Sequence, residues 1–111
     1  MKRFEALEVA LELARALGPA IEQVRGHDRD TALQLRRAAT STASCLAEGS
    51  KGAGGDRLQL FRAAGGSAAE VRTQVQLAAA WKWLAEDDAR PIAELADRVA
   101  AMAWRLTHPR C

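Results

Sequence analysis

Four stretches of the chain carry apolar residues at alternating steps of three and four, the spacing that lines one face of an α-helix. In the first, Phe4, Leu7, Leu11, Ala14, Leu17, Ile21 and Val24 fall on one stripe and predict a helix over about residues 4–25. Gly18 and Pro19 lie inside that stripe. The helix is therefore expected to kink there or to divide in two, since proline removes a backbone hydrogen bond and crowds the preceding turn. A polar linker over residues 26–30 follows, with Asp30 or Thr31 placed to cap a second helix over about 30–48. The stripe of that helix is Leu35, Ala38, Ala39, Thr42, Cys45 and Leu46, mostly small residues that imply a near neighbour.

Residues 49–55 hold four glycines and read as a loop, because glycine opposes helix on entropic grounds. Asp56 then caps a third helix over about 56–85, with Leu60, Phe61, Ala64, Ala68, Val71, Val75, Ala78 and Leu84 or Ala85 on its stripe. Gly65-Gly66-Ser67 interrupts it, and Ser67 with Glu70 matches a capping box that would start a new helix. One long helix is the preferred reading, with the glycines permitting close contact. Residues 86–91 combine capping acids with Pro91, a residue suited to a first turn, and begin a fourth helix over about 88–107. Its stripe is Ile92, Leu95, Val99, Met102 and Leu106, and Pro109 ends it. The chain is thus expected to be one all-α domain over residues 1–111, an antiparallel up-down four-helix bundle with each apolar stripe turned inward.

Composition sharpens this picture. Of the 111 residues 25 are alanine, so the helices are expected to approach closely around a thin core. Thirteen of the 16 basic residues are arginine, whose planar fork suits phosphates and carboxylates. The net charge is only +2, but residues 29–82 carry eight basic and four acidic groups, which concentrates positive charge in the middle of the chain. No run of 18 apolar residues and no leader-like segment is present, so a cytoplasmic location with no membrane partner is expected. Cys45 and Cys111 are too few for a disulfide scaffold and read as free thiols.

Catalytic chemistry finds no purchase. His27 and His108 lack companions at metal-ligand spacing, so no metal or other cofactor is expected. Cys45 sits on an apolar stripe, where cysteine acts as a small hydrophobe. Lys51 precedes the glycines that a phosphate-binding loop would place before it. Glu48 and Glu70 read as ion-pair partners on basic helices. Trp81 and Trp83, two residues apart, point about 200° apart on a helix, so one must face outward. Trp104 is likewise displaced from the inward Met102, and Trp83 and Trp104 are the candidate anchors of an oligomer interface.

Gln34-Leu35-Arg36-Arg37-Ala38-Ala39-Thr40-Ser41, followed by Leu46-Ala47-Glu48-Gly49-Ser50, resembles the signature of the four-helix-bundle proteins encoded within intervening sequences of large-subunit ribosomal RNA genes. Ala64-Gly65-Gly66-Ser67-Ala68-Ala69-Glu70, with Thr73-Gln74 and Leu77, resembles the third-helix pattern of that family. The resemblance implies a non-enzymatic homo-oligomer, a ring-like pentamer, with a fold shared by the accessory proteins of diversity-generating retroelements. It also implies a structured RNA or a reverse-transcriptase-like protein as partner. Arg37, Ser41, Glu48, Gly49, Gly66, Ser67 and Glu70 match the family's recurrent polar and glycine positions, whereas Thr42-Ala43 replaces its Ile-Pro pair and Cys45 its Asn. Arg37, Ser41, Glu48, Ser67 and Glu70 are expected to form a structural polar cluster between helices two and three. Arg36, Arg57, Arg62 and Arg72 are the candidate nucleic-acid-binding residues, multiplied around the ring. The rival reading is a protein-directed scaffold anchored by its tryptophans.

Overall fold

The computed structural model describes residues 4–52 and 54–108. They form four helices, α1 (Glu5–Arg25), α2 (Arg29–Lys51), α3 (Gly54–Ala80) and α4 (Glu86–Thr107), with no strand among the described residues. Each helix packs on the next in the chain, and α4 returns to pack on α1. The thiol of Cys111 and the helix end at Pro109 lie outside the described residues.

The buried face of α1 is Ala6, Val9, Ala10, Leu13, Leu17, Ala20 and Val24. Only Leu17 and Val24 belong to the stripe read from the sequence; Leu7 and Ile21 are half-buried flanks, and Leu11 is 43% exposed. The stripe is rotated because the bundle turns small residues, Ala6, Ala10 and Ala20, toward its neighbours and lets the branched ones cover the edges. The helix does not divide at Gly18 and Pro19. Gly18 and Pro19 are exposed, and so is Arg15, the residue whose carbonyl Pro19 leaves without its helical donor.

Asp28, not Asp30 or Thr31, caps α2: its extended backbone lets the carboxylate accept the Thr31 amide at 3.1 Å. The helix continues three residues past Glu48 and α3 begins at Gly54, so most of the loop expected over 49–55 is helical. Gly49 explains why. It is buried in the last turns of α2, and a Cβ there would stand 2.6 Å from Cε1 of the Phe61 ring. This glycine serves a close approach of α2 to α3 and not a turn.

Of the inward residues expected on α3, Phe61, Ala64, Ala68, Val71, Val75 and Ala78 are buried and Leu60 is half-buried, and the helix runs unbroken through Gly65 and Gly66. It ends at Ala80, short of the expected 85, in a tight reversal. Lys82 takes a left-handed conformation (φ 68°), its amide bonds the Ala79 carbonyl at 3.0 Å, and the Trp83 amide reaches the Ala78 carbonyl at 2.9 Å. This pair of bonds is the usual glycine stop built here on lysine. Left-handed backbone costs a β-carbon-bearing residue roughly 1–2 kcal/mol. Lys82→Gly is therefore expected to raise stability by about 1 kcal/mol, read as a higher thermal midpoint, and an unchanged midpoint would show that the turn carries no such strain.

The fourth helix begins at Glu86, two residues before the expected start, so Pro91 falls in its second turn and not its first. Pro91 and Asp87, whose carbonyl it leaves free, are both exposed. Ala89, Ile92, Ala96, Val99 and Ala103 are buried, while Leu95, Met102 and Leu106 flank them. The core is two clusters in series. One, around Leu13, Leu17, Leu35, Val71, Val75 and Leu84, lies toward the 26–28 and 81–85 links. The other gathers Val9, Leu46, Phe61 and Val99, and Leu95 packs against both. Thr42, fully buried, donates its hydroxyl to the Ala38 carbonyl at 2.7 Å, and no described buried side-chain polar atom lacks a partner.

Candidate nucleic-acid interface

Arg29 and Arg36 are seven residues apart, about two turns, and so share a face of α2. Across from them Arg25 projects from the end of α1, and the three arginines rim a groove of about 350 Å³ floored by Ile21, Ala32 and Leu33. Arg25 is engaged with Glu22 one turn back. Arg29 and Arg36 are exposed, and neither has a carboxylate partner among the described residues. Two uncompensated guanidiniums over an apolar floor attract an anion, and their forked donors fit phosphate oxygens.

The structure does not bring Arg36 together with Arg57, Arg62 and Arg72. Arg36 belongs to the α1–α2 groove, whereas the others leave α3. Arg72 is neutralised, its guanidinium 3.1 Å from Asp97 on α4. Arg62 lines a second groove, of about 390 Å³, between α3 and α4. Arg57 lies five residues earlier, about 1.4 turns and so on a different face of the helix, with its guanidinium 5.4 Å from the centroid of the Phe61 ring.

The polar seam between α2 and α3 is smaller than expected. Ser67 donates to the Ser41 hydroxyl at 3.0 Å, Cys45 Sγ stands 3.8 Å from Ser41, and Gln74 donates to Gln34 at 3.0 Å. Arg37 and Glu70 project from positions between the two hydrogen-bonded pairs, yet both are exposed, and neither they nor Glu48 form an ion pair among the described residues. Solvent screening leaves such outer-flank charges little to gain from pairing. The cluster reduces to two serines and a half-buried free thiol.

The residues of this seam carry the sequence signature described above, and the family model of the 23S rRNA-intervening sequence protein matches residues 2–105. The chain belongs to that family. A crystal structure of a protein with unknown function from the S23 ribosomal protein family of Bacteroides thetaiotaomicron superposes with a TM-score of 0.85 at 13% identity, covering 94% of this chain and 99% of that one. That likeness establishes the fold alone. No curated protein matches the chain.

In this 23S rRNA-intervening sequence family member the tryptophans are placed differently from the helical reading. Trp81 and Trp83 follow α3 in the reversal, where they stack at 6.0 Å, and Trp83 also stacks on His27 at 6.4 Å. Trp83, expected at an interface, is half-buried against the core, while Trp81 is 65% exposed. Trp104 is exposed, as expected, at 60%. Arg25 and Arg29 were not singled out in the sequence; the signal was the seven-residue spacing of Arg29 and Arg36 around Leu33. Among the described residues no helix is long and apolar enough to cross a membrane, and no three His, Cys, Asp or Glu are placed to hold a metal.

Proposed function

We propose that the protein is a non-enzymatic, cytoplasmic, oligomeric adaptor that binds structured nucleic acid through arginines displayed on its helices. The observation that carries this reading is the pair Arg29 and Arg36, unneutralised and sharing a groove with Arg25. Membership of a family named for 23S rRNA intervening sequences agrees with it. The bundle is read as antiparallel and up-down. Contacts step forward along one helix as they step back along the next: Gln34 to Gln74, then Ser41 to Ser67; Gly65 beside Ala103, then Arg72 to Asp97. A ring-like homo-pentamer completes the proposal. It is supported by the family resemblance and by exposed Leu11 and Leu77, which offer apolar surface to a second copy.

The test is a titration of the purified protein with a structured RNA and a duplex DNA at two salt concentrations. Binding should weaken steeply with salt, as counterion release requires. The double change Arg29→Glu/Arg36→Glu should lower affinity about ten-fold or more and flatten the salt slope by about 1 for each phosphate no longer neutralised. Arg72→Glu, at a position already neutralised by Asp97, should have a much smaller effect. The absence of binding to both nucleic acids would give the scaffold reading precedence, which exposed Trp81 and Trp104 favour.

A further inference from the structure

We infer that the groove between α3 and α4 seats an unpaired nucleotide, its base against the exposed face of Trp104 and its phosphate against Arg62. The inference rests on the nucleic-acid reading above but concerns a different surface, since the α1–α2 groove holds no aromatic residue.

Trp104 is 60% exposed, yet its ring is not left to wander. His108 stacks on it, centroids 3.9 Å apart and planes 13° from parallel. Nδ1 of His108 lies 2.9 Å from the Trp104 carbonyl, and because a carbonyl only accepts, the imidazole donates there. The Thr107 hydroxyl donates to the same carbonyl at 2.9 Å. An exposed aromatic surface fixed in advance loses little freedom on binding, the property a stacking platform needs.

Gly65 and Gly66 line the same groove. Glycine weakens a helix interior relative to alanine, and packing does not demand it here. A Cβ on Gly66 would meet nothing within 4 Å, and one on Gly65 would make ordinary contact with Ala103 at 3.5 Å. Larger side chains would fill the depression beside Trp104. The pair therefore makes sense as open space for something from outside the fold.

Charge selects the occupant. Arg62 and His108 line the groove, and no carboxylate does. A flat, apolar surface beside a cation with forked donors is complementary to a base and its phosphate, whereas a purely apolar side chain would leave Arg62 unused. The nucleotide must be unpaired, because a base within a duplex already stacks on both faces and presents only its edge.

The experiment uses the full chain with Trp81→Phe and Trp83→Phe, so that Trp104 is the sole tryptophan. Its emission is followed during titration with a single-stranded oligoadenylate and with a duplex of equal length. Single strand should quench Trp104 and duplex should not. Trp104→Leu and Gly66→Leu, measured by anisotropy of a labelled strand, should each weaken single-strand binding about ten-fold with duplex affinity unchanged. Arg62→Ala, which adds no bulk, should weaken it too and guards against misfolding of a larger substitution. Unmoved emission at saturating single strand, or wild-type affinity in all three variants, would overturn the inference while leaving arginine-dependent duplex or structured-RNA binding intact. Absence of binding to every nucleic acid would overturn both this inference and the function on which it rests.

Discussion

Replacing Phe61 by alanine is expected to lower the unfolding free energy by about 3–5 kcal/mol, a loss comparable to the entire stability of a modest domain, which is roughly 5–15 kcal/mol. Phe61 is 1% exposed and is the largest fully buried side chain described. It packs in the second core cluster with Val9, Leu46 and Val99, with its ring edge on the backbone at Gly49. That arrangement decides the magnitude. A cavity is costly when its walls cannot close, and at the ring edge α2 presents Gly49, which has no side chain to move inward. Urea unfolding followed by far-ultraviolet circular dichroism measures the loss. A change below about 1 kcal/mol would mean that α2 slides inward to fill the void, which the close Gly49 contact argues against.

Ala68→Leu is expected to destabilise the bundle by about 1–3 kcal/mol or more, whereas Ala69→Leu, one residue on, is expected to stay within about 0.5 kcal/mol of the parent. Ala68 is fully buried in the second cluster and Ala69 is exposed. Both substitutions place the same good helix former in the same helix, so propensity cancels and the difference isolates room between helices. Equal thermal midpoints for the two variants would show that the space around Ala68 is loose and that the alanine-rich faces are not in tight contact.

The sequence made the inward faces of α2 and α3 legible because their large residues stand on a single stripe, with Leu35 and Leu46 on one and Phe61, Val71 and Val75 on the other. On α1 it misled, because two overlapping stripes are both apolar and the larger side chains, Leu7, Leu11 and Ile21, lie beside the buried face. Packing preferred the alanines. The stop at Lys82 was hidden for a different reason: the left-handed position is ordinarily marked by glycine, and here the backbone bonds to Ala78 and Ala79 hold it without one. Gly49 carried the opposite error, a glycine that serves contact where composition read a turn.

Of the candidate site, individual residues were legible and their company was not. Arg36, Arg62 and Trp104 were each recognisable from residue type and helix phase. Which of them share a groove depends on the register between helices, seen in contacts such as Ser67 with Ser41, and no periodicity within one helix contains that register. The same register brings Asp97 to Arg72 and removes its charge from the surface field.

The helix order described above also governs how fast the chain finds this shape. Helices that are successive in sequence are neighbours in space, with short links at residues 26–28 and 81–85, and α2 ends at Lys51 just before α3 begins at Gly54; of the main packing pairs, α1–α4 is the one closed across the length of the chain. Closing short loops costs little entropy and can be completed one pair at a time. Such a low mean sequence separation belongs to the fast regime of folding, about microseconds to milliseconds. The docking of α4 on α1 is the single event that spans the whole chain.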